Sequence, residues 1–556
     1  MSDQFTFIDL FAGVGGFHAA LANLGGRCVY VAEKDPFAQA VYREAWLSGG
    51  KDDPHVTGDI NKDVPVDTGH TIAELLARAE AGRIKLENVP EEFDVLAAGF
   101  PCQTFSKSGK QEGILDTVRG TLFYNILVII AMRKPKVVFL ENVKNLVGPS
   151  HRTTTFKTIV DSLTDLGYVV NPDPTIFSPH TIAPEHGGGP QSRERVYILA
   201  VRKELVANDA PFIGPKRSNG WSADEWRIDR TQLPDRGQMP AVVTDAWVDT
   251  IRHEDPALAE RANEVRSAYM PDLVQYRLTD DDKWLRVYEL LLANVVKGRK
   301  KNQRGSWFPG HPIWFDADRE EWRKREHADA VAHRKAERAR DWKDEFLKKS
   351  AEFIEAYSKQ LTGRGSGDIL KKILALPNNA WRKLEWQASD AESLDDCLIQ
   401  LRPSGVRVKK ATYAPALVAI NQTPILGSER RRITPYEAGR LQGFPDMVFQ
   451  AMMTTEQPAT QSYKQFGNAV HVGAVRFALV HFVCHHFGTE ALPDAPDLGS
   501  LAPLVEHCRS TKKRWLPEAP PADPAPPVAE IPGTVTSLTD NTAPVRRRQR
   551  AVLAVH

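Results

Sequence analysis

The chain is short of cysteine, of long apolar runs and of net charge, and each shortage excludes something. Five cysteines, Cys28, Cys102, Cys397, Cys484 and Cys508, are spread over 556 residues with no Cys-x-x-Cys pair. That spacing argues against a disulfide framework and against a zinc cluster, so no metal is expected. The longest apolar stretch, Leu122 to Met132, is broken by Asn125 and is too short to span a bilayer. Met1 to Phe7 lacks the basic-then-apolar order of a signal peptide. A cytoplasmic protein with no membrane contact is expected. Lys+Arg 72 against Asp+Glu 71 leaves a formal net charge of +1, so overall charge offers no argument for nucleic acid. A local basic face remains open.

What is present reads as a folded chain of two or three domains. Over the first two hundred residues short apolar runs alternate with amphipathic segments. Thr6 to Phe11, Arg27 to Ala32, Phe93 to Ala98, Lys136 to Leu140 and Val196 to Val201 read as buried strands. Phe17 to Leu24, Pro36 to Ala45, Thr121 to Met132 and Thr155 to Leu166 read as helices. This pattern predicts an α/β fold with a mostly parallel sheet covered on both faces, whose ligand site lies at the carboxyl ends of the strands. From about Lys203 to Ala416 the alternation is lost. Asp316 to Leu361 has no internal Pro or Gly and predicts one long charged helix, read as a solvated strut or a DNA- or partner-contacting helix. Alternation resumes near Ile433. The last segment is Pro- and Ala-rich from Pro517, ends in a basic cluster at Arg546 to Arg550, and reads as disordered from about residue 516.

Chemistry-bearing residues gather at predicted strand ends. Phe11-Ala12-Gly13-Val14-Gly15-Gly16-Phe17 is a glycine turn that lets backbone N–H groups approach a ligand, although the G-x-G-x-x-G spacing is not met. Glu33 ends the second strand, where it can accept from ribose hydroxyls, and Asp59 is the next acid along. These glycines read either as a nucleoside-cofactor loop or as ordinary tight turns. Pro101 and Cys102 follow a strand and precede a polar, glycine-bearing run to Gly120, as a reactive thiol under a lid would. A lone cysteine is also a common packing residue. Glu141, beside apolar neighbours, reads as a proton donor with a raised pKa or as a salt-bridged strand end. Arg193 and Arg195 fall on one side of an extended segment and suit a carboxylate, a phosphate or a cytosine carbonyl, or a structural role.

Taken in order, Phe-x-Gly-x-Gly-Gly, Pro-Cys-Gln at 101–103, Glu-Asn-Val at 141–143, Gln-x-Arg-x-Arg at 191–195 and Gln-x-Gly-Asn-Ala-Val at 465–470 resemble the DNA cytosine-5 methyltransferase family of bacterial modification enzymes. Arg119 to Phe123 and Arg432 to Glu437 resemble further blocks of it. The resemblance covers roughly residues 5–202 and 420–487. It departs at Ala416-Leu417, where the family carries Thr-Leu, and at the loose Gly187-Gly188-Gly189-Pro190 run.

The resemblance implies a Rossmann-like, S-adenosylmethionine-dependent methyltransferase fold with an inserted target recognition domain. Residues 1–202 would open the catalytic domain, 203–422 would recognise the target, 423–490 would close the catalytic domain, and 491–556 would extend it. Cys102 would add to cytosine carbon 6. Glu141 would hold N3 and the exocyclic amine, and Arg195, oriented by Arg193, would grip the carbonyl. S-adenosylmethionine would contact Phe11, Gly13, Gly15, Glu33, Asp59, Ile60, Pro101, Leu122 and Asn468. The implied substrate is double-stranded DNA with its target base flipped out. A companion restriction endonuclease is the candidate system partner of a monomeric enzyme acting at the nucleoid of a bacterial cell. The stretch Arg402 to Lys410 offers basic candidates for base reading. A tRNA cytosine-5 methyltransferase and a nonenzymatic DNA-binding regulator are the alternatives. No Cys-Phe-Thr tripeptide of the tRNA branch is present, and no helix-turn-helix pattern precedes Phe5.

Overall fold

The computed structural model describes residues 4–51, 53–66, 72–100, 122–182, 187–206, 273–279, 282–297, 305–316, 342–362, 368–411, 413–419, 422–487, 501, 504 and 505. Pro101, Cys102 and the expected lid to Gly120 lie outside the described residues, as do 317–341 and the tail from 506.

Apolar strands form the centre of the molecule because both faces of their sheet are covered. In chain order the elements are β1 (Thr6–Leu10), α1 (Gly16–Asn23), β2 (Arg27–Ala32), α2 (Pro36–Trp46), β3 (His55–Thr57), α3 (Ile60–Asp63), α4 (Ile72–Glu80), β4 (Val95–Ala98), α5 (Leu122–Arg133) and β5 (Val137–Val143). The five strands are parallel neighbours in the order β3-β2-β1-β4-β5. Every residue of β4 is buried, as are all of β5 except Val143, the pattern of a doubly covered parallel sheet. The order reverses between β1 and β4, which is where such sheets open a crevice for ligands.

The sheet then changes direction. After α6 (Lys157–Asp165) come β6 (Tyr168–Val170), β7 (Thr175–Phe177), β8 (Gln191–Ser192) and β9 (Arg195–Arg202). β9 runs antiparallel to β5, and β6 and β7 both pair antiparallel with β9, making eight strands among the described residues. The sheet is therefore mainly parallel with an antiparallel edge.

A second sheet gathers a lobe from the middle of the chain and extends past residue 422 to Arg432. Its elements are α7 (Lys283–Lys297), β10 (Ile313–Trp314), α8 (Trp342–Ala356), α9 (Ser358–Thr362), α10 (Ile369–Leu374), β11 (Lys383–Gln387), β12 (Cys397–Arg402), β13 (Gly405–Lys410), β14 (Ala414–Pro415), β15 (Ile425–Leu426) and β16 (Arg431–Arg432). Six of these strands pair in the order β10-β11-β13-β12-β15-β16, over a core holding Trp284, Leu291, Phe308, Trp386 and Ile399. The long helix expected over 316–361 is corrected at both described ends. Asp316 lies in a turn after β10, and the helical run is interrupted at Tyr357. Phe353 and Leu361 are buried in the lobe's core, so this end is packed rather than solvated.

The chain closes with α11 (Pro435–Arg440), α12 (Asp446–Thr454), α13 (Ala459–Asn468) and α14 (Val472–Phe487). Phe477 of α14 packs edge-on against Phe177 of β7 at 5.6 Å, so the last helix covers the large sheet. Gly473 lets the start of α14 approach the loop before β8: a Cβ there would meet the Gly187 carbonyl at 1.9 Å. Among the described residues one run, Ala459–Phe487, is long and apolar enough to cross a membrane, with mean hydropathy 1.3. It is broken between Asn468 and Val472, and 72% of its apolar window is buried, as in a core helix. Cys28 and Cys397 are buried free thiols, whereas Cys484 is disulfide-bonded where isolated thiols were expected.

Candidate active site

The strand ends at the switch point surround one cavity of about 660 Å³. Its floor is the turn after β1. Phe11 adopts a left-handed φ of 59° and Gly13 one of 57°, and such strain in a non-glycine residue is held only where its surroundings enforce it. The enforcement comes from Glu33 at the end of β2. One oxygen of its carboxylate accepts from Gly13 N–H and the other from Asp35 N–H, both at 2.7 Å. Burial raises the Glu33 pKa. A Cβ at Gly13 would meet nothing within 4 Å, so the backbone faces open space. Gly15 lies behind the cavity instead of lining it. Its φ is 90°, and a Cβ there would strike the Trp46 indole.

Asp59 caps α3 by accepting from Asn61 N–H at 3.1 Å, and this bond holds its pKa below the usual carboxylate range. Ile60, Leu122 and Phe11 supply apolar walls beside these acids. Asn468 ends α13 on the opposite wall, and Lys464 of the same helix reaches Asp35 at 2.7 Å. The cavity thus joins residues more than four hundred positions apart.

The far end is built by β5 and β9. Glu141 pairs in register with Tyr197, and Val143 with Arg195, which sets the Arg195 Nε 3.1 Å from Glu141 Oε1. Both are largely buried. Burial raises the Glu141 pKa, against the opposing pull of Arg195 and then Arg193. Glu141 Oε1 receives no aligned hydrogen bond among the described residues, so the carboxyl group has acceptor capacity left inside the cavity.

Arg193 is used differently. It is 1% exposed and donates to the carbonyls of Leu417, Gly467 and Ala469 at 2.9, 3.1 and 2.6 Å. Burial and the nearby Arg195 bring its pKa down to about 9. Its guanidinium clamps the segment after β14 and the end of α13 to the site. Asp9, wholly buried beneath the glycine turn, was not singled out from sequence. Its Oδ2 accepts from His18 N–H at 3.2 Å, fixing the start of α1. The signal was available as a lone acid within the apolar run Thr6–Leu10.

Fold and cavity together define an α/β enzyme with its ligand site at the carboxyl edge of a mainly parallel sheet. The chain belongs to the C-5 cytosine-specific DNA methylase family, whose model matches residues 5–481. It is a DNA (cytosine-5-)-methyltransferase. It is 36% identical over 523 residues to the Type II methyltransferase M.AluI of Cellulosimicrobium cellulans, covering 86% of this chain and 91% of that one. It is 41% identical over 216 residues to the Type II methyltransferase M.HpaII of Haemophilus parainfluenzae, 39% of this chain and 51% of that protein. A solved E. coli prophage structure described as a putative DNA modification methyltransferase is 16% identical with a TM-score of 0.38 and covers 87% of this chain and 100% of that one.

Proposed function

We propose that the protein transfers a methyl group from S-adenosylmethionine to carbon 5 of a cytosine flipped out of a specific duplex sequence, as the modification half of a restriction–modification system. The observation that carries this reading is the single cavity shared by the Glu33 and Asp59 carboxylates at one end and the Glu141–Arg195 pair at the other. The residues present fit the methyl donor. Glu33 offers carboxylate acceptors to ribose hydroxyls, Asp59 offers them to an adenine amine, and Phe11, Ile60 and Leu122 offer apolar contact to the base. Gly13, Pro101 and Asn468 complete the cradle, with Gly15 setting the turn from behind. When bound, the donor supplies a methyl group on a sulfonium, an electrophile that cytosine carbon 5 cannot attack unaided.

The chain's own residues provide the activation. The Cys102 thiolate adds to carbon 6, and the pair of electrons displaced from the ring double bond makes carbon 5 nucleophilic. Glu141, its pKa raised, holds a proton at N3 and accepts from the exocyclic amine, so charge does not accumulate as the thiolate adds. Arg195 binds the cytosine carbonyl while keeping Glu141 in place, and Arg193 clamps the segment after β14 and the end of α13 against the site. After methylation the carbon 5 proton leaves to solvent and its electrons re-form the double bond, expelling the thiolate.

The region 203–422, its sheet completed by β15 and β16 from the segment that follows, serves as the target recognition domain between catalytic segments 1–202 and 423–490. The Type II names of M.AluI and M.HpaII favour a companion restriction endonuclease as system partner, and the same proposal has the enzyme act as a monomer on nucleoid DNA in the cytoplasm. The test is transfer of tritiated methyl groups to duplex DNA and to tRNA in parallel, with bisulfite sequencing of the product. Label in DNA at one recurrent sequence is expected; label confined to tRNA, or none, overturns the reading.

A further inference from the structure

The sheet of the inserted lobe has two unlike faces. Successive residues of a strand point to opposite sides. Along β11, β13 and β12, Leu384, Trp386, Val406, Val408 and Ile399 turn into the lobe's core. Glu385, Gln387, Arg407, Lys409, Gln400 and Arg402 turn the other way, and pairing registers set Glu385, Arg407 and Gln400 in one row across the three strands. This polar face lines a cleft of about 400 Å³ whose opposite wall includes Ser192, Tyr413 and Pro415.

The cleft abuts the active site. β14 pairs with β8, placing Pro415 beside Ser192, and the next residue, Arg193, lines the catalytic cavity. The groups inside it are held. Arg402 Nη1 and Arg407 Nη2 share the Glu385 carboxylate at 3.2 and 2.8 Å. Their side chains are 29% and 26% exposed, so they are reachable yet braced. Two guanidinium groups on one carboxylate leave an excess of positive charge, and burial followed by the neighbouring Arg407 lowers the Arg402 pKa. Lys409 adds a third cation, over the Tyr413 ring at 3.1 Å, and that ring stacks on His180 at 4.6 Å.

We propose that this face reads the DNA sequence. Arg402 and Arg407 donate to guanine acceptors on base edges in the major groove, Gln387 offers its amide to a neighbouring edge, and Glu385 is their positioning residue, while the buried Gln400 braces the row by donating to the Gln422 carbonyl at 3.4 Å. The assignment rests on the reading of the protein as a duplex-DNA methyltransferase. A forked guanidinium matches the two acceptors of guanine, and a strand surface can enter the major groove. The excess of cations suits a polyanion, and adjacency to Arg193 keeps the read bases beside the flipped one.

The test uses the full chain and a duplex library with randomised positions around cytosine, read by bisulfite sequencing. Arg407→Lys keeps the charge and the Glu385 partner but loses the fork. It should relax a guanine preference at one position of the methylated sequence and lower kcat/KM on the wild-type target about ten- to hundred-fold. Glu385→Gln should relax preference in the same direction while S-adenosylmethionine affinity stays constant. If both variants keep the wild-type sequence profile and only lose rate uniformly, the face contacts phosphate or merely supports the fold, and the assignment is overturned. If the wild-type protein methylates no duplex cytosine, the enzyme reading falls and this one with it.

Discussion

Two arginines separated by one residue do opposite things. Arg195 faces Glu141 across 3.1 Å and opens to the cavity, whereas Arg193 spends its donors on three backbone carbonyls. Arg193→Met should therefore leave buried carbonyls without donors and destabilise the protein by about 3 kcal/mol or more. Arg195→Met should lower kcat far more than thermal stability. Glu141→Gln should retain S-adenosylmethionine binding by calorimetry and lose at least about a hundred-fold in kcat; parallel loss of both would mark Glu141 as structural. The sequence placed both arginines in one extended segment, but the partners of Arg193 lie 224 to 276 positions away. No local pattern reports contacts at that range.

Buried histidines give a pH prediction. Burial lowers the pKa of His18 to about 4 and, with Arg193 nearby, that of His471 to about 3. In the unfolded chain both titrate near the ordinary value of about 6.5. Groups whose folded pKa is depressed contribute stability above the unfolded pKa and lose it as pH falls towards the folded one. The unfolding temperature should accordingly fall as pH drops from about 6.5 towards 4, and His471→Gln should flatten that slope. An unchanged slope would show that His471 is not the buried neutral group described.

At the scale of elements, α11 shows how a short helix is held. Thr434 accepts from Glu437 N–H at 3.1 Å and Glu437 accepts from Thr434 N–H at 2.7 Å, a capping box. The same carboxylate takes both terminal nitrogens of Arg431 at 2.8 Å. Thr434→Ala should cost about 1 kcal/mol. Arg431→Met, which leaves Glu437 buried with no cation, should cost about 3–5 kcal/mol; thermal unfolding of the two variants should show that order. The parallel strands were legible because burial on both faces makes them continuous apolar runs. Their limits were not: Tyr168–Val170 and Thr175–Phe177 are too short to show a period, and nothing local tells that Arg195–Arg202 runs antiparallel. The polar face of β12 and β13 did have a signal, the alternation Val406-Arg407-Val408-Lys409. It is easily lost in a stretch read only for its basic content.

For the whole molecule, the ordered motifs identified a family because they converge on one cavity in space. Phe11, Glu33, Asp59, Glu141, Arg195 and Asn468 come from distant parts of the chain and meet at the switch point of the sheet. The inserted lobe resisted sequence reading because its packing joins elements far apart, such as Trp284 and Trp386 in one core. The central claim is covalent addition by Cys102, and trapping tests it most directly. On duplex DNA with 5-fluorocytosine at the target and S-adenosylmethionine present, fluorine blocks the final elimination. The wild-type protein should form an adduct that survives a denaturing gel, and Cys102→Ala should form none. No adduct with wild type, or an equal adduct with the variant, would contradict the account.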